Sequence, residues 1–232
     1  MFLHLIPLTA WWPLTAGIDH SLSNFQICRI INILFQRKLA GIIPALRTKL
    51  SGQNVVLVDM GHTHTSVIVC AVDSLPDNLM VPRKLSVTSN DSIGAFSFDL
   101  IMWEHFAKQV ESKTKSVIAK GSKRGVRLLT ACERLRKLLS QLPTSHVSVE
   151  NLSDDFGDET LHLSRDELSS LCEESLLKPL QELINSALEK ANISAADVFA
   201  VEALGGGMRM PIVQSLVLKL FSVSPNVTSL GL

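Results

Sequence analysis

A carboxylate and a glycine stand in a tight turn between two apolar, β-branched runs. Val55 to Val58 is typical of a buried strand, Asp59-Met-Gly61 interrupts it, and Thr65 to Val69 resumes an extended pattern. Such a turn places a carboxylate and several backbone N–H groups at the mouth of a sheet, where a phosphate chain and its metal ion could bind. The alternative is an ordinary hairpin with an Asp-x-Gly turn.

Four polar residues recur at helical spacing within the stretch ERLRKLLS. They fall at i, i+3, i+4 and i+7, so they line one helix face: Glu133, Arg136, Lys137 and Ser140. This face can hold a purine and a ribose, because arginine and lysine stems stack on a base while a carboxylate and a hydroxyl bond the sugar. The alternative is a solvated stripe in which Glu133 pairs with Lys137.

A glycine triplet follows a predicted strand near the end of the chain. In LGGGMRMP, the missing Cβ atoms of Gly205 to Gly207 let a ligand approach the backbone, and a helix opening near Pro211 supplies N–H donors. A tight turn between a strand and a helix is the alternative explanation. The presence of all three segments in one chain favours a shared nucleotide site.

The order of predicted elements indicates an α/β fold in which these segments are turns and helix faces. Strands are predicted over residues 55–58, 65–69, 83–88, 146–150, 159–163 and 197–201, and helices over 25–39, 94–111, 124–141, 164–172 and 176–191, with a last helix from about 211. Ser164 and Glu167 have the spacing of a capping box. Short connections make the first three strands antiparallel, so the sheet is mixed and carries a smaller β-containing insertion. The helix over 124–141 is predicted to bury Val126, Leu128, Leu129, Cys132, Leu135, Leu138 and Leu139.

Composition restricts the classes of partner. The 232 residues carry 22 basic and 22 acidic side chains, a balance that gives no support to nucleic-acid binding. The apolar first twenty residues have no Lys or Arg before the apolar run and contain two prolines, so neither a signal peptide nor a membrane span is favoured. The widely spaced cysteines predict reduced, mostly buried thiols: Cys28, Cys70, Cys132 and Cys172.

Five motifs in one order carry a resemblance to a known family. They are VDMGH at the phosphate turn, IGAFSFDLIMWEHF after it, ACERLRKLLS at an adenosine-binding helix, LSRDELSSLCEESLLKPL, and VEALGGGMRMP at an adenosine motif. With them, the stretch from about Asn54 to Phe221 resembles the second lobe of the ATPase domain of the 70-kDa heat-shock protein superfamily. That superfamily lies within the actin and hexokinase (ribonuclease H-like) fold group.

The phosphate turn departs from the 70-kDa chaperone pattern DLGGGTFD. His62 and Thr63 replace glycines, and Ser66 stands where the second aspartate would be. This form resembles the 110-kDa heat-shock branch, whose members bind ATP and act chiefly as nucleotide exchange factors for 70-kDa chaperones and as holdases. Bulkier residues restrict the turn, and a lost carboxylate removes a metal-water partner, so ATP binding is expected and efficient hydrolysis is not.

The resemblance implies a site for ATP or ADP with Mg²⁺. It also implies a 70-kDa chaperone as partner, through residues around 112–160, unfolded polypeptide as a partner of the full-length protein, and no nucleic acid or membrane. The cytoplasm is the implied location, ahead of the endoplasmic reticulum lumen. The implied site residues are Glu133, Arg136, Lys137 and Ser140 at adenosine, Gly205, Gly206, Gly207 and Arg209 behind the base and phosphates, and Asp59, Gly61, His62 and Thr63 at the phosphates, with Asp59 at the metal.

The predicted domains are a non-matching segment at residues 1–50 and an actin-like lobe at 51–232, with an α+β insertion subdomain at about 90–165. The family's first lobe, with its own phosphate loop and lysine, has no counterpart in residues 1–50 beyond a fragment near Leu39 to Ile43. A fragment or partial gene product is therefore expected. Two alternatives stay open: an ATP-hydrolysing chaperone of the 70-kDa class, and a remnant that binds no nucleotide.

Overall fold

The computed structural model describes residues 52–74, 80–114, 117–153 and 157–221. The helix predicted over residues 25–39 therefore lies outside the described residues. The strands are β1 (Asn54–Met60), β2 (Thr65–Ser74), β3 (Met80–Asn90), β4 (Thr144–Ser153), β5 (Gly157–Ser164) and β6 (Val198–Leu204). The helices are α1 (Ala95–Thr114), α2 (Lys123–Leu139), α3 (Arg165–Cys172), α4 (Lys178–Ala191) and α5 (Pro211–Phe221).

The main sheet has four strands in the order β3-β2-β1-β6. β2 pairs antiparallel with both β1 and β3, whereas β1 pairs parallel with β6. The predicted mixed sheet is thus confirmed. Because β1 and β6 run in the same direction, their carboxyl ends meet at one edge, with Asp59 opposite Leu204.

One face of the sheet packs against α4. Val58 and Val67 are fully buried in the core on this face. Two polar side chains of β3 also point there and are satisfied by the helix: Ser86 Oγ donates to the Ala187 carbonyl at 2.6 Å, and Thr88 Oγ1 to that of Leu183 at 3.1 Å. These bonds remove the cost of burying two hydroxyls under a helix.

A second layer of the core joins α1 and α2 to the two-stranded sheet of β4 and β5. Phe98 of α1, Leu135 of α2 and Leu161 of β5 belong to the same buried cluster as the main sheet. Trp103 Nε1 donates to the Gly125 carbonyl at 2.9 Å, which ties α1 to the start of α2. The helices that carry the candidate residues are therefore fixed to the sheet by a continuous core.

Two local predictions about helix starts are confirmed. Ser164 and Glu167 form the predicted capping box at the start of α3, with the Glu167 carboxylate 2.8 Å from the Ser164 backbone nitrogen. α5 begins at the predicted Pro211.

Two local predictions are wrong. Val126 and Leu138 are 56% and 38% exposed, because the buried stripe of α2 follows 128, 132, 135 and 139. The helix predicted to start at 176 begins instead at Lys178, after a π-helix, Glu173–Leu177.

None of the helices formed by the described residues combines the length and apolar character that crossing a membrane requires.

Candidate functional site

The glycine triplet packs directly against the end of β1. Gly205 has φ +83°, and a Cβ at this position would lie 2.3 Å from the Met60 carbonyl oxygen and 2.7 Å from Asp59 Oδ1. A Cβ on Gly207 would lie 2.4 Å from Met60 Cγ, whereas one on Gly206 would have no heavy atom within 4 Å. Two of the three predicted segments therefore meet, and Gly206 is the glycine with open space above its backbone.

The turn after β1 is held by the first residues of α1. Gly61 N–H donates to the His64 carbonyl at 2.9 Å, which closes the turn. The carbonyl oxygens of Gly61 and His62 accept the N–H groups of Ala95 and Phe96 at 2.9 and 2.8 Å. These bonds satisfy two N–H groups that a helix start otherwise leaves unpaired, so α1 and the turn fix each other's position.

Asp59 and Ser66 lie opposite each other across β1 and β2. Burial raises the pKa of the Asp59 carboxyl, and the nearby His64 offsets part of that rise. Ser66 Oγ is buried and has no hydrogen-bond partner within the described part of the chain. A carboxylate next to a polar atom that lacks a partner fits a Mg²⁺ ion held through one carboxylate, water and phosphate oxygens.

The α2 face contains the ion pair that the sequence offered as an alternative. Lys137 Nζ lies 2.7 Å from Glu133 Oε1, and both side chains are exposed, at 65% and 44%. The hydrogen bond from Lys137 lowers the pKa of Glu133. Ser140 caps the end of the helix, and its Oγ donates to the Lys137 carbonyl at 2.7 Å. In this conformation the side chains of Glu133 and Lys137 bond each other, and that of Ser140 bonds the helix backbone.

Arg136 differs from its three neighbours because it is buried. Its Nε donates to Asp99 Oδ1 at 2.7 Å and its Nη2 to Oδ2 at 3.4 Å, and the two side chains are only 10% and 2% exposed. Burial raises the pKa of Asp99, and the Arg136 guanidinium offsets part of the rise. Sequence reasoning missed Asp99, whose one signal was a lone acid in the apolar stretch FSFDLIMW.

His62 packs against the start of α1. Its ring lies against Phe96 with centroids 5.2 Å apart. The turn therefore touches the glycine triplet on one side and the first turn of α1 on the other. Of the remaining predicted site residues, Thr63 and Arg209 are exposed.

A family comparison accounts for this arrangement. The sequence profile described as Hsp70 protein matches residues 21–229. The chain belongs to the Hsp70 protein family. The resemblance to the 70-kDa heat-shock superfamily and its 110-kDa branch is confirmed, and the mixed sheet flanked by helices is the actin-like ATPase fold of this family.

Curated Hsp70 relatives match most of this chain. A heat shock protein homolog of Saccharomyces cerevisiae is 36% identical over 165 residues, 71% of this chain and 23% of the relative. Heat shock 70 kDa protein 4 of Canis lupus familiaris is 32% identical over 190 residues, 80% and 21% of the two chains. Heat shock 70 kDa protein 4L of Homo sapiens is 31% identical over 173 residues, 73% and 19%. The chain spans about a fifth to a quarter of the length of these relatives.

ATPase domains of the Hsp70 family bind nucleotide with Mg²⁺ in general, and family members act with other chaperones and unfolded polypeptides. In this chain, Asp59 is the residue that fits the metal, and the open backbone at Gly206 fits a closely approaching ligand. Within the described residues no group of three or more His, Cys, Asp or Glu side chains could hold a metal by itself. A Mg²⁺ site that shares its ligands with phosphates needs no such group.

Proposed function

We propose that this chain is the ATP-binding lobe of a 110-kDa-type heat-shock co-chaperone. The lobe comprises residues 51–232 and includes an insertion subdomain at about 90–165. The main support is the contact between the glycine triplet and the phosphate turn, where a Cβ on Gly205 would lie 2.7 Å from Asp59 Oδ1. The adenosine helix α2 is tied to the same region through α1, whose first N–H groups bond the turn and whose Asp99 pairs with Arg136 at 2.7 Å.

In this proposal α2 binds adenosine. Asp99 holds the buried Arg136 guanidinium, which fixes the position of α2 beside the base, and the aliphatic stem of Lys137 stacks on the base. Glu133 and Lys137 exchange their mutual ion pair for bonds to the ribose, and Ser140 turns its hydroxyl from the Lys137 carbonyl toward the nucleoside. Because the Glu133 pair is exposed, breaking it costs about 0.5 kcal/mol or less.

The phosphates lie over the end of β1. Gly206, flanked by Gly205 and Gly207, lets them approach the backbone. In this proposal the turn at Gly61 lies beside them, and the N–H groups of His62 and Thr63 and the guanidinium of Arg209 face them. Asp59 would hold the Mg²⁺ ion, which when bound neutralises phosphate charge. Ser66 offers a hydroxyl where a second carboxylate would hold a metal-bound water. That substitution favours nucleotide binding without efficient hydrolysis.

The partner in this proposal is a 70-kDa chaperone, contacted by residues around 112–160, and the role is nucleotide exchange. The full-length protein would also hold unfolded polypeptide. We place this role in the cytoplasm, where thiols stay reduced, because the described cysteines are free and buried. The rival, an ATP-hydrolysing chaperone of the 70-kDa class, is disfavoured by Ser66. A truncated remnant that binds no nucleotide is the other alternative.

Calorimetric titration with Mg-ADP tests the binding site. Gly206→Ala places a methyl group in open space, so the fold should be unchanged while affinity falls at least about tenfold through loss of close approach. Gly121→Ala is the matched control, since its Cβ also meets no atom within 4 Å. Equal affinity for wild type and both variants would remove the glycine triplet from the site. No binding by the wild-type chain would favour the remnant.

A stopped-flow assay tests the exchange role separately. A 70-kDa chaperone preloaded with fluorescent ADP should release it faster when the full chain is added, and the chain alone should not turn over ATP. Unchanged release with intact ADP binding would refute the exchange role and leave the binding site standing. Turnover by the chain alone would support the hydrolysing chaperone.

A further inference from the structure

A groove of about 420 Å³ runs along the side of α1 that faces away from Asp99. At 100° per residue, the lining positions 101, 105 and 108 fall about 180° to 240° around the helix from position 99. The opposite wall is formed by Leu171 of α3 and Ser175 of the π-helix. This groove is therefore separate from the proposed nucleotide site, although both use α1.

The wall contributed by the π-helix is an unusual structure. The Lys178 N–H bonds to the Glu173 carbonyl five residues earlier, so this turn is wider than an α-helical one. Short π-helical turns are rare in proteins, and those that occur often lie at functional sites. The sequence pattern predicts regular helix from 176 and assigns this segment no role. Ser175 lies in this wide turn and lines the groove.

Among the described residues, the groove offers one unpaired positive charge above an apolar floor. Ile101 and Leu171 supply the apolar surface. Lys108 has no ion-pair partner in the described part of the chain, whereas the other charged group, Glu104, is already paired with Lys120 at 3.0 Å. A ligand with one negative charge would complement Lys108, whereas the second charge of a dianion would be repelled by Glu104.

The histidine in the groove does not add to the charge. The Gln109 side-chain amide and His105 Nε2 are hydrogen-bonded to each other at 3.0 Å. Burial lowers the pKa of His105, the Lys108 ammonium lowers it further, and Glu167 acts in the opposite direction. The neutral imidazole and the amide are thus polar contacts that orient a ligand without changing its charge requirement.

We propose that this groove binds a small amphipathic carboxylate. The carboxylate lies at the Lys108 ammonium within reach of the Ser175 hydroxyl, and its apolar chain lies on Ile101 and Leu171. The groove volume falls within the range of small-molecule sites. The stripe from 101 to 112 is roughly 16 Å long, enough for a chain of about eight carbons.

Octanoate is the probe, titrated into the full-length chain with ¹⁵N labelling and followed by backbone amide shifts. Saturable shifts should appear at residues 101–112 and 171–175, and octanamide and octylammonium should give none there. Lys108→Gln should weaken octanoate binding at least about tenfold. Lys190→Gln, an exposed lysine on α4, is the matched control and should leave the affinity unchanged.

Three results would overturn the proposal: no saturable shifts in the groove, equal shifts with octanamide, or equal affinity of the two lysine variants. Because the readout is confined to the groove, these results do not depend on whether the chain binds ADP. Shifts spread over the whole surface would indicate non-specific partitioning of the alkyl chain and would also reject the site.

Discussion

The buried ion pair between α1 and α2 gives the sharpest test of the structure. Arg136→Met removes the guanidinium but keeps an unbranched side chain of similar helix propensity. The Asp99 carboxylate, only 2% exposed, then loses its hydrogen-bonding partner. The adjacent Lys137→Met is a matched control on the same helix, because it breaks the exposed pair with Glu133.

The two substitutions should differ strongly in magnitude. Removing one partner of a buried pair costs about 3–5 kcal/mol, because the remaining charge is buried without compensation. The control pair is 65% and 44% exposed, so breaking it should cost about 0.5 kcal/mol or less. For an m-value of about 2 kcal/mol/M, the urea midpoint should fall by about 1.5–2.5 M for Arg136→Met and by about 0.25 M for the control.

Urea unfolding followed by circular dichroism measures both variants, at pH 7.5 and pH 5. In Arg136→Met the group that lowers the pKa of Asp99 is gone, so burial raises that pKa further. An acid whose pKa is raised in the folded state destabilises the fold above that pKa, and protonation relieves the cost as pH falls. The deficit of Arg136→Met should therefore shrink at pH 5. Unfolding free energies within about 1 kcal/mol of each other at pH 7.5 would refute the buried pair.

Three further predictions follow from single contacts. Gly205→Ala should destabilise the chain more than Gly52→Ala in urea unfolding. Both glycines have positive φ, but only the Cβ added at Gly205 would meet backbone atoms. Equal losses of stability would contradict the contact between Gly205 and β1. Hydrogen bonds from Ser164 lower the pKa of Glu167, so the ionised carboxylate stabilises the fold. Glu167→Ala should therefore be less stable than wild type at pH 7, and this difference should disappear as pH falls below about 4. A difference that persists at pH 3 would exclude that cap. In a Cys28→Ser background three cysteines remain: Cys70, Cys132 and Cys172. Burial raises the pKa of each thiol to about 12, so thiol labelling at pH 8 should require urea. Fast labelling without urea would show that the thiols are exposed.

The sequence predicted the features whose signals are local. The apolar run before Asp59, the capping box at Ser164 and the proline at the start of α5 each depend on neighbouring residues, and each is present. The mixed sheet followed from short connections between the first three strands. The meeting of Asp59 with the glycine triplet followed from the family's motif order, which places both at one sheet edge.

Features that depend on distant contacts were not predictable. The Asp99 to Arg136 pair joins two helices, and no spacing rule within either helix indicates it. Val126 and Leu138 were predicted to be buried because they are apolar and lie beside the buried stripe of α2. How wide a stripe is actually buried depends on which elements pack against α2. The π-helical turn also has no pattern in the sequence that distinguishes it from an α-helix.

The central claim is that three distant segments converge on one adenine nucleotide. A ¹⁵N-amide titration of the full chain with Mg-ADP measures this directly. Saturable shifts should appear in residues 59–63, 133–140 and 205–209, with one common dissociation constant for all three. Shifts confined to one segment, or different dissociation constants for the three, would contradict a shared site.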